Sequence, residues 1–114
     1  MAENAVAQEY SFPKQAKITD LPFVSDSKSR KGPQNPKGRS FWDVKPTGDY
    51  GKDCETGREY AIAALRYAHD TDFKHAISWA ILSMPGYDNA SGIEVGFSGV
   101  IAEYALASFA YVER

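Results

Sequence analysis

The sequence predicts a mainly α-helical protein: a small three-helix body at 41–114, preceded by an extended, irregular N-terminal arm at 1–40. Two observations lead to this prediction. The arm has seven Lys and Arg against four Asp and Glu, four of the six prolines and no regular apolar spacing. The body has six basic against eleven acidic residues, and apolar residues recur in it every three or four positions. A polar arm next to a small folded body is typical of a protein that contacts a partner.

The arm divides into an apolar stretch and a basic stretch. Residues 1–9 are predicted to be a loose terminus. The apolar residues that follow have no period: Tyr10, Phe12, Ile18, Leu21, Phe23 and Val24. Because Pro13 and Pro22 remove backbone donors, this stretch is predicted to be extended, with at most a short edge strand or hairpin. Residues 25–40 are predicted to be a polar linker.

The linker supplies the candidate basic contacts of the protein. They are Lys28, Arg30, Lys31, Lys37 and Arg39. No aromatic residue is interleaved with them, so they cannot stack nucleic-acid bases. They could contact phosphates or an acidic protein surface, although most such runs are only solvated linker. With a net charge of −2, the whole chain is not predicted to bind nucleic acid directly, and only the arm leaves that open.

The first helix is predicted at about 50–69. One helical face is formed by Cys54, Arg58, Ala61, Leu65 and Ala68. Either Asp49 or Asp53 can cap the start of this helix, where acidic side chains also complement the helix dipole.

The second helix is predicted at 72–84. Thr71 or Asp72 provides a start signal, and Pro85 with Gly86 provides a stop signal. Its core stripe would consist of Phe73, Ile77, Ala80, Ile81 and Met84.

The third helix is predicted at 92–112, after the capping-box pair Ser91 and Glu94. One apolar stripe comprises Ile93, Phe97, Val100, Ile101, Tyr104 and Tyr111. A second stripe comprises Val95, Ala102, Leu106, Phe109 and Val112. A helix that is apolar on most sides is predicted to be the central helix of the bundle or an oligomer contact.

Several features predict a soluble, cytoplasmic protein. Glu94, Ser98, Glu103 and Ser108 interrupt the longest apolar segment, which argues against a membrane span. The N-terminus has no basic region followed by an apolar stretch, so no signal peptide is expected. A single cysteine excludes an intramolecular disulfide and a thiolate zinc site.

Catalytic, metal and cofactor sites are not expected. A calcium loop starting at Asp49 would have Cys54 where glycine is needed and Tyr60 where a bidentate glutamate is needed. Cys54 lies between two acids, which disfavours a thiolate, and a small core residue is the better interpretation. His69 and His75 are six residues apart across a predicted turn, which is not the spacing of metal ligands on one helix.

Large aromatic residues are numerous for so small a body. Trp42, Tyr60, Tyr67 and Trp79 are candidate partner-binding anchors, because a core of this size cannot enclose every ring. The alternative is that the arm folds back over them. We expect the arm to be a tether outside the core. In the competing arrangement, Phe12, Phe23 and Val24 would pack on Trp42 or Trp79.

The body resembles small uncharacterised proteins of proteobacterial genomes and their phages in FWDVKPTGDYGKDCETGREYA (41–61) and GIEVGFSGVIAEYAL (92–106). The resemblance does not extend to the arm and implies no catalytic or binding residue. It implies a phage or mobile-element product. By analogy, small, acidic, enzyme-free phage proteins are often inhibitors of host defence, anti-CRISPR proteins among them.

The function predicted is that of a non-enzymatic binding protein in the host cytoplasm. It would inhibit a host nucleic-acid-handling or defence complex by protein–protein contact, with its acidic body against a basic groove. The alternative is a small structural or assembly protein, such as a virion component, whose arm laces onto a neighbouring subunit. Self-association through the third helix would favour that alternative. A small enzyme ranks last, because no nucleophile–base pair or cofactor motif is found.

Overall fold

A computed structural model of the chain describes residues 10–25, 42 and 44–113. It contains three α-helices: α1 (Tyr50–Thr71), α2 (His75–Leu82) and α3 (Gly92–Glu113). Two short 3-10 turns, Ile18–Asp20 and Tyr87–Asn89, lie before α1 and between α2 and α3. The mainly helical class and all three predicted helices are confirmed.

α1 begins and ends at polar residues. At its start, the Asp49 carboxylate accepts a hydrogen bond from the Lys52 backbone N–H at 3.2 Å, so one of the two predicted caps is confirmed. At its end, Asp72 adopts a left-handed backbone conformation with φ 59°, and its N–H donates to the Ala68 and His69 carbonyl oxygens. Asp72 therefore ends α1, and α2 begins at His75, three residues later than predicted.

The capping box predicted for α3 is also present. The Ser91 backbone N–H and hydroxyl both donate to the Glu94 carboxylate, and the Ser91 hydroxyl oxygen accepts from the Ile93 N–H. Glu94 is buried, and these bonds to Ser91 compensate for its loss of water contact.

Glycines allow the N-terminal halves of α1 and α3 to pack backbone to backbone. A Cβ atom added at Gly57 would overlap the Ile93 carbonyl oxygen, and one added at Gly96 would overlap the Cys54 carbonyl oxygen. No residue larger than glycine fits at these two positions without moving the helices apart. This close approach seats the first half of α3 on α1.

Residues 10–25 complete the core, which contradicts the expectation that the arm stays outside it. Ile18, Leu21, Phe23 and Val24 are all buried. The Phe23 ring is fully enclosed and stacks on Trp42, with a centroid distance of 4.7 Å. The apolar residues of this stretch have no period because they pack from turns and extended backbone, where helical and strand spacing do not apply. The predicted boundary at residue 40 lies outside the described residues.

Three long-range hydrogen bonds connect residues before α1 to the helices. The Phe12 backbone N–H donates to the Asp70 carboxylate at 3.1 Å, and the Tyr67 hydroxyl donates to the Ala16 carbonyl oxygen at 3.0 Å. The Trp42 indole N–H donates to the Ala80 carbonyl oxygen of α2 at 2.8 Å. For residues 10–25, the competing arrangement, in which Phe23 packs on Trp42, is therefore the one present in the structure.

α3 is buried only in its first half. Ile93, Phe97 and Val100 belong to the core, whereas every residue from 102 to 110 is exposed. The prediction of a central, largely buried helix is correct for 92–100 and wrong for 102–110. The second half of this helix has no neighbour among the described residues that buries it.

α3 also has the length and composition of a membrane span. Within the described part of the chain, Gly92–Ala110 is the one segment that meets this criterion, and 28% of it is buried. Buried core helices meet the same criterion, and the first half of α3 is buried in the core.

Candidate protein-binding surface

The five basic residues predicted as partner contacts, Lys28, Arg30, Lys31, Lys37 and Arg39, lie outside the described residues. Their role in binding stays a prediction.

The four predicted aromatic anchors all belong to the packed body. Tyr67 is 4% exposed, so its ring has no surface left for a partner. Trp42 and Tyr60 are half-buried against the Phe23 ring, at centroid distances of 4.7 and 5.4 Å. Trp79 is half-buried and packs edge-on against Phe73, another core-facing ring, at 5.1 Å. Partner contact through the uncovered edges of Trp42, Tyr60 and Trp79 stays a prediction.

The thiol and the imidazoles are too far apart to form a catalytic pair. Cys54 and His69 are fifteen residues apart on α1, which corresponds to about 22 Å along the helix axis. His69 instead pairs with the neighbouring Asp70 at 3.1 Å, and His75 begins α2. Among the residues that the structure describes, no group of three His, Cys, Asp or Glu side chains is arranged to hold a metal ion.

The acids of the rejected calcium loop have structural roles. Residues 50–60 are helical, and Asp49 is the N-cap. Asp53 is buried, and its carboxylate accepts from the Thr47 backbone N–H at 3.0 Å and from the Thr47 hydroxyl at 2.8 Å. The backbone hydrogen bond from Thr47 is the main cause that lowers the pKa of Asp53. These acids fix the loop before α1 to the helix.

Among the described residues, the exposed large hydrophobic side chains are concentrated on α3, where they lie on two different faces of the helix. We call residues 102–110 the free half of α3. On one side, Tyr104 is 57% exposed and lies next to Glu103, whose carboxylate pairs with the Arg58 guanidinium of α1 at 3.5 Å. We call Tyr104, Glu103 and Arg58 the aromatic–ionic patch.

The face of α3 opposite Tyr104 is apolar. We call it the outer stripe, and it consists of Val95, Gly99, Ala102, Leu106 and Phe109, at alternating spacings of four and three residues. Leu106 is 69% exposed and Phe109 is 64% exposed. Nothing lies within 4 Å of a Cβ added at Gly99. No charged side chain interrupts this stripe, because the one charged residue between Val95 and Ala110 is Glu103, in the aromatic–ionic patch.

The end of α2 borders the outer side of α3. The Ser98 hydroxyl lies 3.6 Å from the Met84 sulfur atom, just beyond the end of α2. Leu82, in the last turn of α2, is exposed. The apolar surface is therefore partly covered near Ser98 and uncovered over the free half.

Sequence reasoning placed the exposed residues in stripes but not on the surface. Leu106 and Phe109 belonged to the predicted second stripe, and Tyr104 to the first. The signal that could have identified them is the number of apolar residues in the third helix. It exceeds the number that the other two helices can bury. Tyr104 has the further signal of an adjacent acid, Glu103, in an otherwise uncharged segment.

Comparison of the chain with protein-family models, curated protein sequences and solved structures finds no match.

Proposed function

We propose that this chain is a non-enzymatic binding protein of phage or mobile-element origin that inhibits a host nucleic-acid-handling or defence complex by protein–protein contact. Anti-CRISPR proteins are the member of this class to test first. The protein would act in the host cytoplasm. The observation that carries the proposal is the aromatic–ionic patch, in which a tyrosine more than half exposed lies beside an exposed ion pair.

The composition of the patch favours a partner that is another protein. Tyrosine and arginine are the residue types most enriched at the centres of protein interfaces. Tyr104 offers a large ring at a low cost in side-chain entropy, and its hydroxyl can form a hydrogen bond at the rim. The Arg58–Glu103 pair is exposed on both sides, and such pairs contribute little to stability. The Glu103 carboxylate can therefore be recruited by a partner at small cost to the fold.

Charge favours a partner with a basic surface. The body has six basic and eleven acidic residues, a formal charge of −5. Complexes that handle nucleic acids carry basic grooves, and an acidic protein is steered towards them by long-range attraction. This attraction raises the rate of encounter, whereas Tyr104 would provide the contact that holds the complex together.

The test is a pair of tyrosine substitutions in the full chain. We expect Tyr104→Ala to weaken binding to the host complex by about tenfold or more, as truncation of an interface anchor does. Tyr50→Ala is the matched control, because Tyr50 is 63% exposed but lies at the start of α1, beside the other end of α3. Binding is measured with purified CRISPR–Cas effector complexes, and inhibition by phage plaque counts on cells that carry the same systems.

Two results would count against this proposal. One is a wild-type protein that neither binds nor inhibits any host complex tested. The other is equal binding by Tyr104→Ala and Tyr50→Ala, which would exclude the aromatic–ionic patch as the contact.

A second candidate function is favoured by the outer stripe. A small assembly protein, such as a virion component, needs a surface for copies of itself, and the outer stripe is apolar in the way that homodimer interfaces are. The arm-lacing version of this candidate receives no support from residues 10–25, because they pack on the body of their own chain. Purification from virions would favour assembly, and presence only in the infected cell would favour inhibition.

A further inference from the structure

We infer that the outer stripe of α3 is a self-association surface, on which a second copy of the chain docks with its α3 antiparallel to the first. Tyr104 lies on the opposite side of α3 from the stripe, whereas Glu103 flanks it, four residues after Gly99 and three before Leu106. A dimer formed through it would leave Tyr104 available to a host partner, so this inference and the proposed function can fail separately.

The spacing of the stripe is that of a helix–helix seam. Val95, Gly99, Ala102, Leu106 and Phe109 follow one another at intervals of four, three, four and three residues. An alternation of this kind keeps the side chains on one line of the helix that faces a second helix, as in coiled coils. The 11 residues from Gly99 to Phe109 provide about 16 Å of helix for such a seam.

The sizes of the side chains identify the occupant as a second copy. When two α3 helices pair antiparallel about a twofold axis that passes level with residue 104, Phe109 of each helix lies opposite Gly99 of the other. In the same register, Leu106 lies opposite Ala102. Each large side chain then meets a small one, which is the arrangement that fills an interface without voids. A twofold interface requires such self-complementarity, because the same patch occurs on both sides.

Gly99 is the position that the folded monomer does not explain. Gly92 and Gly96 face α1, where an added Cβ would meet backbone atoms closer than van der Waals contact allows. At Gly99, no atom of the described residues lies within 4 Å of an added Cβ, so their packing does not require glycine there. Glycine is also less favourable than alanine in a helix interior. The ring of Phe109 from a second copy would occupy the space above Gly99.

Other occupants fit the stripe less well. A helix that lies on an anionic membrane surface usually carries lysine or arginine along its polar face, and Gly92–Ala110 contains neither. A charged peptide would find no complementary charge on the stripe. The first half of α3 packs against α1, so the whole segment is not free to enter a bilayer. Because the seam is short, we expect a dimer with a dissociation constant in the micromolar range.

The test is sedimentation velocity of the full chain from about 1 µM to about 200 µM. We expect the wild-type protein to convert from monomer to dimer within this range. Gly99→Phe would place two large rings against each other, and we expect it to weaken the dimer at least tenfold while the monomer stays helical. Phe109→Ala removes the ring itself and should weaken the dimer as well.

The double variant Gly99→Phe, Phe109→Ala tests the register. It exchanges the large and small residues of one layer, so we expect it to recover dimerisation to within about threefold of wild type, a coupling that only residues in contact show. Tyr104→Ala is the control that should dimerise like wild type. A wild-type chain that stays monomeric over the whole range, or a double variant as weak as its parents, would overturn the inference.

A flotation assay addresses the membrane outcome. Wild-type protein is mixed with vesicles of phosphatidylcholine and phosphatidylserine, and we expect it to remain unbound. Binding that is lost in Leu106→Glu and is accompanied by a monomeric protein in solution would assign the stripe to a lipid surface and overturn the inference.

Discussion

Replacing Phe23 by alanine tests whether residues 10–25 belong to the core. The Phe23 ring is fully buried, stacked on Trp42 and Tyr60, and in edge contact with Phe97 of α3 at 5.6 Å. Truncation of a buried phenylalanine to alanine costs about 3–5 kcal/mol, from lost burial and from the cavity that remains. A domain of this size has a total stability of about 5–15 kcal/mol. The substitution should therefore remove a large part of the stability.

The assay is thermal unfolding followed by circular dichroism. In a domain of about this length, 1 kcal/mol corresponds to a change in Tm of about 4–8 °C, so we expect Phe23→Ala to lower Tm by about 12 °C or more. Phe109→Ala is the matched control, since it makes the same chemical change at a ring that is 64% exposed. Measured at about 1 µM, where we expect the chain to be mainly monomeric, the control should change the free energy of unfolding by no more than about 0.5 kcal/mol. Equal Tm values for Phe23→Ala and wild type would refute the packing of residues 10–25 on the helices.

Two further tests concern the close contact between α1 and α3 and the hydrogen bond from the Phe12 N–H to Asp70, which we call the Asp70 latch. Gly96→Ala should destabilise the protein by about 2 kcal/mol or more in urea unfolding, because its Cβ would overlap the Cys54 carbonyl oxygen, whereas Gly99→Ala should be neutral or stabilising. The hydrogen bonds with His69 and from the Phe12 N–H lower the pKa of Asp70 in the folded protein. The stabilising contribution of the ionised carboxylate is therefore present above the unfolded pKa of about 3.9, and it is lost as the pH falls through the lower pKa of the folded state. We expect Asp70→Asn to reduce stability at pH 7 and to make the acid unfolding profile shallower below about pH 4; an unchanged profile would show that the latch does not contribute.

The helices could be predicted from the sequence because their signals are local. Asp49 and the Ser91–Glu94 pair mark two helix starts, and the apolar periodicity between them follows from helix geometry alone. From the sequence, Thr71 or Asp72 is the start signal predicted for α2. The structure uses Asp72 in the left-handed conformation that ends α1, a conformation that Asp tolerates better than most residues.

The role of residues 10–25 could not be predicted in the same way. Phe23 lies 19 residues before Trp42 and 74 residues before Phe97, and no local rule connects positions so far apart. Irregular segments bury side chains without a period, so the absence of a pattern does not indicate whether a segment belongs to the core. The aromatic excess did point to the answer, since Trp42 and Tyr60 required something to cover them, and Phe23 does so.

The two sides of α3 use small residues for different purposes, and this difference separates folding from association. On the side that faces α1, Gly92 and Gly96 have an unfavourable helix propensity. They allow the backbones of α1 and α3 to pack closely, and this packing offsets that cost. On the outer side, no close packing among the described residues accounts for Gly99 and Ala102, and the Leu106 and Phe109 side chains are exposed to water. Burying each of these large side chains would contribute about 1.5–3 kcal/mol. A second α3 in the antiparallel register supplies that burial at the same positions where the small residues leave room, so one set of contacts accounts for both features of the outer stripe.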